Sequence, residues 1–171
     1  MNRLVTILLL TVISCGTMIT TASAQTKRVT QINTLIQEVH HRQLVMDIAR
    51  TPVSGTFRHS QSPSYKFWVL RHWKKQLKVT LRQFHNPPRL SQWLCIHRGE
   101  GSWSANTGNS YYGGLQMDMS FQSSYGRHLL SEKGTANNWT PMEQIWVAER
   151  AYRSGRGFYP WPNTARACGL I

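Results

Sequence analysis

The residue best suited to chemistry in this sequence is Glu100, which a glycine flanks on each side. Trp103 follows three positions later, and no other acid occurs between Asp47 and Asp118. A carboxyl at a helix end, beside an aromatic ring and facing a groove, stays protonated more readily because burial disfavours its charged form. Such a carboxyl can donate a proton to the leaving oxygen of a glycosidic bond. Most lone glutamates are solvated surface residues, so this neighbourhood alone leaves both interpretations open.

Asp118 is the second acid to consider, because some glycosidases need two carboxyls. A retaining enzyme with a carboxylate nucleophile holds its two carboxyl groups about 5 Å apart. Asp118 follows Glu100 by 18 positions, across a predicted hairpin, so such proximity is possible. Alternatively, Asp118 lies at a helix N-terminus and only complements the helix dipole.

The segment after Glu100 predicts a small β-hairpin between helices. Asn106-Thr107-Gly108-Asn109 is a turn signal, and residues 111–116 contain two glycines where backbone or substrate can approach closely. Helices are predicted over residues 89–99 and 118–130. Several aromatic residues could line a sugar groove or equally pack in the core; they are Tyr111, Tyr112, Phe158, Tyr159 and Trp161.

A further helix is predicted to begin at Thr140-Pro141-Met142-Glu143, a capping box with proline at the first helical position. Its apolar positions continue to Tyr152, and Gly155 is expected to end it. The chain after Gly155 is aromatic and irregular.

The first half of the chain predicts two helices and a loop. The first helix has apolar residues from Ile32 to Val39 and is expected to end near residues 50–52, before a loop over residues 51–64. The second has an apolar stripe, which comprises Phe67, Leu70, Trp73, Leu77, Leu81 and Phe84. Its other positions are basic and comprise Lys66, Arg71, Lys74, Lys75, Lys78 and Arg82. Residues 64–85 either pack on their own domain with solvated lysines or lie on a membrane or anionic polymer surface.

Residues 1–24 have the pattern of a secretory signal peptide. One basic residue precedes a short apolar run, and Ala22-Ser23-Ala24 fits the cleavage site. An alternative is a lipoprotein box ending in Cys15, and another is a buried helix. Together with a break at Asn86-Pro87-Pro88, this pattern predicts a signal peptide (1–24), a basic helical segment (25–86) and a catalytic domain (87–171).

Charge and cysteine content fit export. Removing Arg3 with the signal leaves 19 Lys and Arg against seven acids, a net charge of +12 (19 − 7). So basic an exported protein is expected to meet wall polymers or anionic lipids rather than nucleic acid. The remaining cysteines, Cys95 and Cys168, predict a disulfide that closes a long loop, which contributes roughly 4 kcal/mol in the chain-entropy model. The histidines show no spacing typical of zinc sites.

Three motifs resemble the resuscitation-promoting factors, secreted actinobacterial muralytic proteins with a lysozyme-like domain. Trp-Ser-Ala-Asn-Thr-Gly-Asn-Ser-Tyr-Tyr-Gly-Gly-Leu-Gln (103–116) resembles their W-S-x-N-T-G-N-G-Y-Y-G-G-L-Q signature. Residues 140–150 are similar to their T-x-E-E-Q-I-x-V-A-E-R helix, and residues 157–162 to their G-W-G-A-W-P tail. The resemblance covers residues 93–170, and it implies a mainly α, lysozyme-like catalytic domain (α+β) with a β-hairpin.

The chain departs from the family pattern at specific positions. The family glutamate directly follows a cysteine and precedes the tryptophan by five residues, whereas Glu100 lies five after Cys95 and three before Trp103. The family's second cysteine lies two residues after W-P, whereas Cys168 lies six after Pro162. Both cysteines are displaced by about one helical turn, so a bridge remains plausible. Phe121 replaces a groove threonine, and Arg156 replaces a glutamine and would suit an anionic group.

The resemblance implies cleavage of peptidoglycan between N-acetylmuramic acid and N-acetylglucosamine, and no cofactor is implied. We also expect no metal site and a monomeric protein. Glu100 would be the acid; the predicted substrate-binding residues are Trp103, Tyr111, Tyr112, Gln116, Asp118, Arg156 and Trp161. Hydrolase and lytic transglycosylase both remain open, since in the family the sugar's own 6-hydroxyl can replace a second carboxylate. The rival functions are a non-catalytic wall-binding or signalling module and a cationic membrane-active protein.

Overall fold

The computed structural model describes the backbone of residues 13–171 and the side chains of residues 23–171. The fold is mainly α with one small antiparallel sheet, as predicted. None of the described helices has the length and apolar character needed to cross a membrane. The helices are α1 (Ile13–Met46), α2 (Pro63–Phe84), α3 (Leu90–Glu100), α4 (Met119–Tyr125), α5 (Arg127–Lys133), α6 (Pro141–Ala151) and α7 (Pro162–Ala167); the strands are β1 (Tyr111–Tyr112) and β2 (Met117–Asp118).

The start of the predicted signal peptide, residues 1–12, lies outside the described residues, as does the side chain of Cys15. The signal peptide and the lipidation alternative therefore stay predictions.

The chain divides into two compact units. Unit 1 comprises residues 1–39 and 51–78, and unit 2 comprises residues 40–50 and 79–171. Helices α1 and α2 contribute residues to both units, whereas α3 to α7 and the sheet belong to unit 2. The functional boundary predicted at residues 86–88 stays a prediction, and packing divides the chain inside α1 and α2 instead.

Unit 1 has a small apolar core between α1 and α2. Phe57, in a 3₁₀ turn (Gly55–Arg58), is fully buried within it. Lys66 is also buried, and its Nζ donates a hydrogen bond of 3.0 Å to Gln25 Oε1. The buried apolar members are Ile32, Ile36, Val39, Phe57, Val69, Leu70 and Trp73.

The inner face of α2 is rotated slightly from the predicted stripe. Val69 is buried, whereas Phe67 is 49% exposed, and Lys66 belongs to the buried face rather than to the basic surface. Helical geometry explains the difference, because residues 66, 69, 70, 73 and 77 share one arc whereas Phe67 lies well outside it. Phe67 instead faces Arg28 and Arg71, whose guanidinium carbons lie 5.7 Å and 5.3 Å from its ring centroid.

Unit 2 has a larger core around the indole of Trp93, which is fully buried. Phe158 and Trp161 contact this indole edge-on, with ring centroids 4.9 Å and 5.2 Å away. Residues from the ends of α1 and α2 complete the core, namely Val45, Met46 and Phe84.

Helix α1 ends at Met46, earlier than predicted, where Asp47 takes a left-handed φ of 58° and arginines of unit 2 bind the last carbonyls. Arg150 Nη2 donates to Leu44 O at 2.9 Å and Val45 O at 3.2 Å, and Arg153 Nη2 donates to Met46 O at 3.1 Å. Such partners satisfy carbonyls that a helix C-terminus leaves free.

The helix predicted over residues 118–130 is two helices, α4 and α5, with a break at Gly126. A Cβ at Gly126 would overlap the ring of Trp139, so a close packing contact fixes this position as glycine. The predicted capping box is confirmed: Thr140 Oγ1 accepts from Glu143 N, and Glu143 Oε2 accepts from Thr140 N at 2.8 Å. After α6 the chain makes a π-type turn in which Gly155 has a φ of 96°.

Candidate active site

Glu100 is the last residue of α3 and is partly exposed. Its Oε1 accepts a hydrogen bond of 2.6 Å from Thr164 Oγ1 on α7. Among the described residues, Oε2 has no hydrogen-bond partner. One carboxyl oxygen is therefore held by the protein, and the other remains available.

A disulfide joins the two helices that meet at Glu100. Cys95 on α3 is bonded to Cys168 at the end of α7, with the Cα atoms 6.1 Å apart, which confirms the predicted bridge. Gly99 and Thr164 stand where the family pattern has its cysteines, and they touch: a Cβ on Gly99 would lie 2.6 Å from Thr164 Cγ2. The disulfide of this chain lies about one helical turn from the position that the family pattern gives it. A contact between Gly99 and Thr164 occupies that position instead, beside the Glu100 carboxyl.

Glu100 lines an open cavity of about 340 Å³. A second cavity, of about 160 Å³, shares part of its lining, including Tyr111, Gln116 and Trp161. The first cavity is also lined by Asn109, Pro160, Pro162 and Asn163; the second is also lined by Met117, Asp118, Ser120, Phe121, Arg156 and Pro160. The two cavities adjoin, because they share Tyr111, Gln116, Pro160 and Trp161, and we call them together the groove.

Strands β1 and β2 pair with Tyr111 opposite Asp118 and Tyr112 opposite Met117, so the predicted hairpin is present. The connection lies at residues 113–116, while the turn signal at 106–109 closes an additional bridge between Asn106 and Tyr112. The hairpin therefore contains two successive turns, because each glycine-containing segment reverses the chain.

Gln144 of α6, fully buried, fixes the hairpin to the rest of unit 2. Its Oε1 accepts from Gly114 N at 2.8 Å, and its Nε2 donates to Trp103 O at 2.8 Å. Gly113 has a φ of 74°, and a Cβ there would overlap the Gln144 amide. The close approach of the buried amide requires glycine at position 113, whereas a Cβ on Gly114 would overlap the rings of His97 and Trp103.

Gln116 occupies an unusual backbone conformation beside the groove. Its φ is 47°, a left-handed value that is uncommon for residues other than glycine. Its side-chain Nε2 donates to Gly113 O at 2.8 Å, which folds the amide back over the turn. The Gln116 side chain is thus positioned by its own turn and lines both cavities.

Asp118 caps helix α4. Its Oδ1 accepts from Phe121 N at 2.7 Å and from Ser120 Oγ at 2.8 Å. The hydrogen bond from Phe121 N, with that from Ser120, lowers the pKa of this carboxyl. Asp118 therefore has a structural role as an ionised helix cap, which was one of the two predicted alternatives.

The remaining predicted substrate-binding residues differ in placement. Arg156 lines the second cavity, and its charge also lowers the pKa of Asp118. Trp161 lines both cavities but is only 4% exposed, and its Nε1 donates to Leu115 O at 2.6 Å. Trp103 and Tyr112 lie outside both linings; the Trp103 ring stacks on His97 with centroids 3.8 Å apart.

Several important residues were not predicted. Thr164 gives no sequence signal, because its partner is 64 positions away. Glu149 is fully buried, with Oε1 accepting from Trp93 Nε1 at 2.8 Å and Oε2 accepting from Arg89 Nη2 at 2.8 Å. Glu149 does lie in the family-like helix motif of residues 140–150, which could have indicated a structural acid. Within the described side chains, no cluster of three or more His, Cys, Asp or Glu is arranged to hold a metal ion.

The geometry is that of a carboxyl at a helix end, held by a hydroxyl and lining an open cavity. Residues 91–164 match the family profile of the transglycosylase-like domain. This part of unit 2 is therefore similar to the transglycosylase-like domain. The matched span includes Glu100, the hairpin and Thr164.

Curated proteins similar to this chain include three resuscitation-promoting factors. Rpf1 of Corynebacterium glutamicum is 40% identical over 70 residues, which cover 41% of this chain and 35% of that protein. RpfE of Mycobacterium tuberculosis is 42% identical over 66 residues, which cover 39% of this chain and 35% of that protein. Rpf2 of Corynebacterium glutamicum is 33% identical over 70 residues. The match spans about a third of the first two relatives.

Proposed function

We propose that this protein is an exported or wall-associated enzyme that cleaves peptidoglycan glycan strands with Glu100 as the general acid. The proposed bond is the β-1,4 linkage between N-acetylmuramic acid and N-acetylglucosamine. The observation that carries the proposal is the Glu100 carboxyl, fixed through one oxygen and lining an open groove inside a transglycosylase-like domain.

The reaction begins when protonated Glu100 donates its proton to the bridging oxygen. The bond between C1 and that oxygen breaks, the electron pair stays on the leaving oxygen, and C1 becomes an oxocarbenium centre. In hydrolysis, water then attacks C1 and returns a proton to Glu100. In lytic transglycosylation, the 6-hydroxyl of the same sugar attacks C1, returns its proton to Glu100 and leaves a 1,6-anhydro end.

The capping role of Asp118 favours a mechanism without a carboxylate nucleophile. Its Oδ1 already accepts two hydrogen bonds from α4. These bonds hold the carboxylate at the N-terminus of α4, so a nucleophile would have to attack through Oδ2 from this capped position. We therefore favour attack by the sugar hydroxyl or by water.

The substrate fits the groove by charge and shape. Arg156 would pair with a carboxylate of the muramic acid lactyl group or its stem peptide, since a guanidinium binds carboxylates through two parallel hydrogen bonds. Tyr111, which is 46% exposed, offers a flat ring to a sugar face, and Gln116 offers amide hydrogen-bonding groups.

A second surface supports contact with anionic wall polymers. One face of α2 in unit 1 is exposed and combines two aromatic rings with cations. We define this face as the aromatic–basic face, which comprises Phe67, Trp68, Arg71, Lys74, Lys75 and Lys78. Glu38 is the single acid in the sequence of unit 1. A teichoic-type polymer or another anionic wall polymer is the proposed partner, and the membrane surface is the alternative.

The deciding experiment replaces Glu100 with glutamine, which keeps the size of the side chain but removes the transferable proton. General acid catalysis contributes about 10²–10⁴-fold, so release of fragments from purified peptidoglycan should fall at least about 100-fold. Mass spectrometry of the wild-type products then separates the two reactions, since anhydro ends indicate transglycosylation and reducing ends indicate hydrolysis.

Asp118→Asn is the matched control, because it neutralises the other carboxyl of the groove. We expect only a mild loss of cleavage from it, whereas a covalent nucleophile would lose activity as severely as Glu100→Gln. Digestion by Glu100→Gln at the wild-type rate would refute the enzyme proposal. Glycan binding without any cleavage would favour a binding or signalling module, and vesicle leakage would favour a membrane-active protein.

A further inference from the structure

The side chain of Thr164 contacts the one carboxyl on which the proposed reaction depends. Its Oγ1 lies 2.6 Å from Glu100 Oε1, a distance typical of a strong hydroxyl-to-carboxyl hydrogen bond. The same Oγ1 lies 3.3 Å from the carbonyl oxygen of Trp161. A threonine hydroxyl has one proton to donate, so the shorter contact receives it and the longer one only restricts the rotamer.

We propose that Thr164 is a positioning residue that fixes the proton of Glu100 on Oε2; this inference rests on the proposed function. A neutral carboxyl has one carbonyl oxygen, which accepts hydrogen bonds, and one hydroxyl oxygen, which carries the proton. A donor directed at Oε1 makes Oε1 the carbonyl oxygen. The transferable proton is then on Oε2, the oxygen that has no partner among the described residues.

The same hydrogen bond also serves the step after proton transfer. Once Oε2 has protonated the leaving oxygen, Glu100 carries a negative charge. Hydrogen bonds to a charged acceptor are roughly twice as strong as neutral ones, so the Thr164 donor stabilises the carboxylate more than the acid. An interaction that strengthens as charge develops lowers the barrier rather than only improving substrate binding.

Helices α3 and α7 are built to keep the two groups together. Cys95 lies five positions before Glu100 and Cys168 four positions after Thr164, so the disulfide fixes the two helices about one turn from the contact. At position 99 a side chain would collide with the γ-methyl of Thr164, since a Cβ there would be 2.6 Å from Cγ2. Gly99 therefore allows the approach that brings the hydroxyl to the carboxyl.

The test compares Thr164→Val with Thr164→Ser in the full-length oxidised protein. Valine keeps the shape and the methyl group against Gly99 but has no hydroxyl, whereas serine keeps the hydroxyl and loses the methyl. With soluble peptidoglycan glycan fragments as substrate, Thr164→Val should lower kcat roughly 10- to 100-fold and leave KM within about twofold. Thr164→Ser should restore most of that loss.

Crystal structures of wild type and Thr164→Val supply a measurement independent of turnover. The Glu100 carboxyl should lie against Thr164 Oγ1 in the wild type and should shift or become less ordered in the valine variant. Gly99→Ala, which displaces Thr164 without changing it, should reproduce the kcat loss.

Three outcomes distinguish the inference from the function on which it rests. If Glu100→Gln is inactive but Thr164→Val has the wild-type kcat, this inference alone fails. If valine and serine lose activity equally, Thr164 acts through packing, and the inference also fails. If Glu100→Gln cleaves glycan as well as the wild type does, the proposed function fails and the inference fails with it.

Discussion

The two compact units use polar side chains in opposite ways. Unit 2 buries them: Gln122, Gln144, Glu143 and Glu149 are all at most 3% exposed, and each makes hydrogen bonds to specific backbone or side-chain groups. Unit 1 has a core that is apolar except for Lys66, and the charges of α2 lie mostly on its surface. Buried polar networks fix one geometry because unsatisfied groups are costly, whereas surface charges act over distance. In the proposed function, unit 2 supplies precise positioning and unit 1 supplies attraction to anionic polymers.

The prediction with the largest expected effect removes a buried acid from unit 2. Glu149→Ala leaves the Trp93 indole N–H and the Arg89 guanidinium without their carboxylate, and breaking a buried pair typically costs about 3–5 kcal/mol. The free energy of unfolding, measured with urea, should fall by that amount. Glu132→Ala is the control, because the Glu132 side chain is 55% exposed and should cost less than about 1 kcal/mol. Equal losses of unfolding free energy in both variants would show that the buried network contributes no more to stability than an exposed acid does.

The second test changes the aromatic–basic face of unit 1. Replacing Lys74, Lys75 and Lys78 with glutamine should reduce retention on purified cell walls several-fold at low salt. Retention of the wild type should also fall steeply with added salt, because the screening length is about 10 Å at 0.1 M. Cleavage of soluble glycan fragments should not change, since these lysines belong to unit 1.

The control for this face replaces Arg50, Arg127 and Arg166 with glutamine. This variant removes the same number of positive charges from exposed positions of unit 2. An equal loss of retention in the control would show that only net charge matters. Trp68→Ser separates the two partners: Trp68 is 56% exposed, and weaker binding to anionic vesicles with unchanged wall retention would indicate a lipid contact.

The smallest expected effect is on pH dependence, through His128 of unit 2. Burial lowers the pKa of His128 below 6.5, with Arg150 and His41 acting in the same direction against Glu132 and Glu143. Below about pH 6.5 this histidine therefore binds a proton more readily in the unfolded chain than in the folded chain. The free energy of unfolding should decline as the pH falls through this range. The midpoint of urea unfolding should decrease from pH 7.5 to pH 5.5 in the wild type. His128→Gln should flatten this dependence, and an unchanged slope would exclude His128 as its source.

Features that depend on local sequence were predictable, and those that depend on distant partners were not. The capping box at Thr140 and Glu143 follows from residues three positions apart, and helix α3 follows from a single apolar pattern. The sequence does not fix which face of α2 is buried to better than a fraction of a turn. Phe67 and Val69 are both apolar, and only packing decides which of them is buried. For α1, the end at Met46 combines a left-handed Asp47 with arginines about 100 positions away, and neither has a clear sequence signal.

The candidate site divides in the same way. Glu100 was identifiable because glycines and a tryptophan surround it and because no other acid is near in sequence. Thr164 was not, because a threonine near a chain's aromatic tail has no distinguishing pattern until α3 and α7 are brought together. Asp118 could be placed in the groove from its spacing, but its hydrogen bonds to Ser120 and Phe121 decide its role.

The contribution of α1 and α2 to both units limits how the protein can be divided. The match to the transglycosylase-like domain begins at residue 91, yet Val45, Met46 and Phe84 belong to the hydrophobic core of unit 2. The Phe84 carbonyl also accepts from Trp146 Nε1 at 2.8 Å. An expression fragment that starts at the prolines of residues 87–88 would expose that core and leave the indole N–H unpaired. We therefore expect the smallest autonomous folding fragment to be longer than the matched region of residues 91–164, and we expect that the upstream helices cannot be exchanged freely as a separate module.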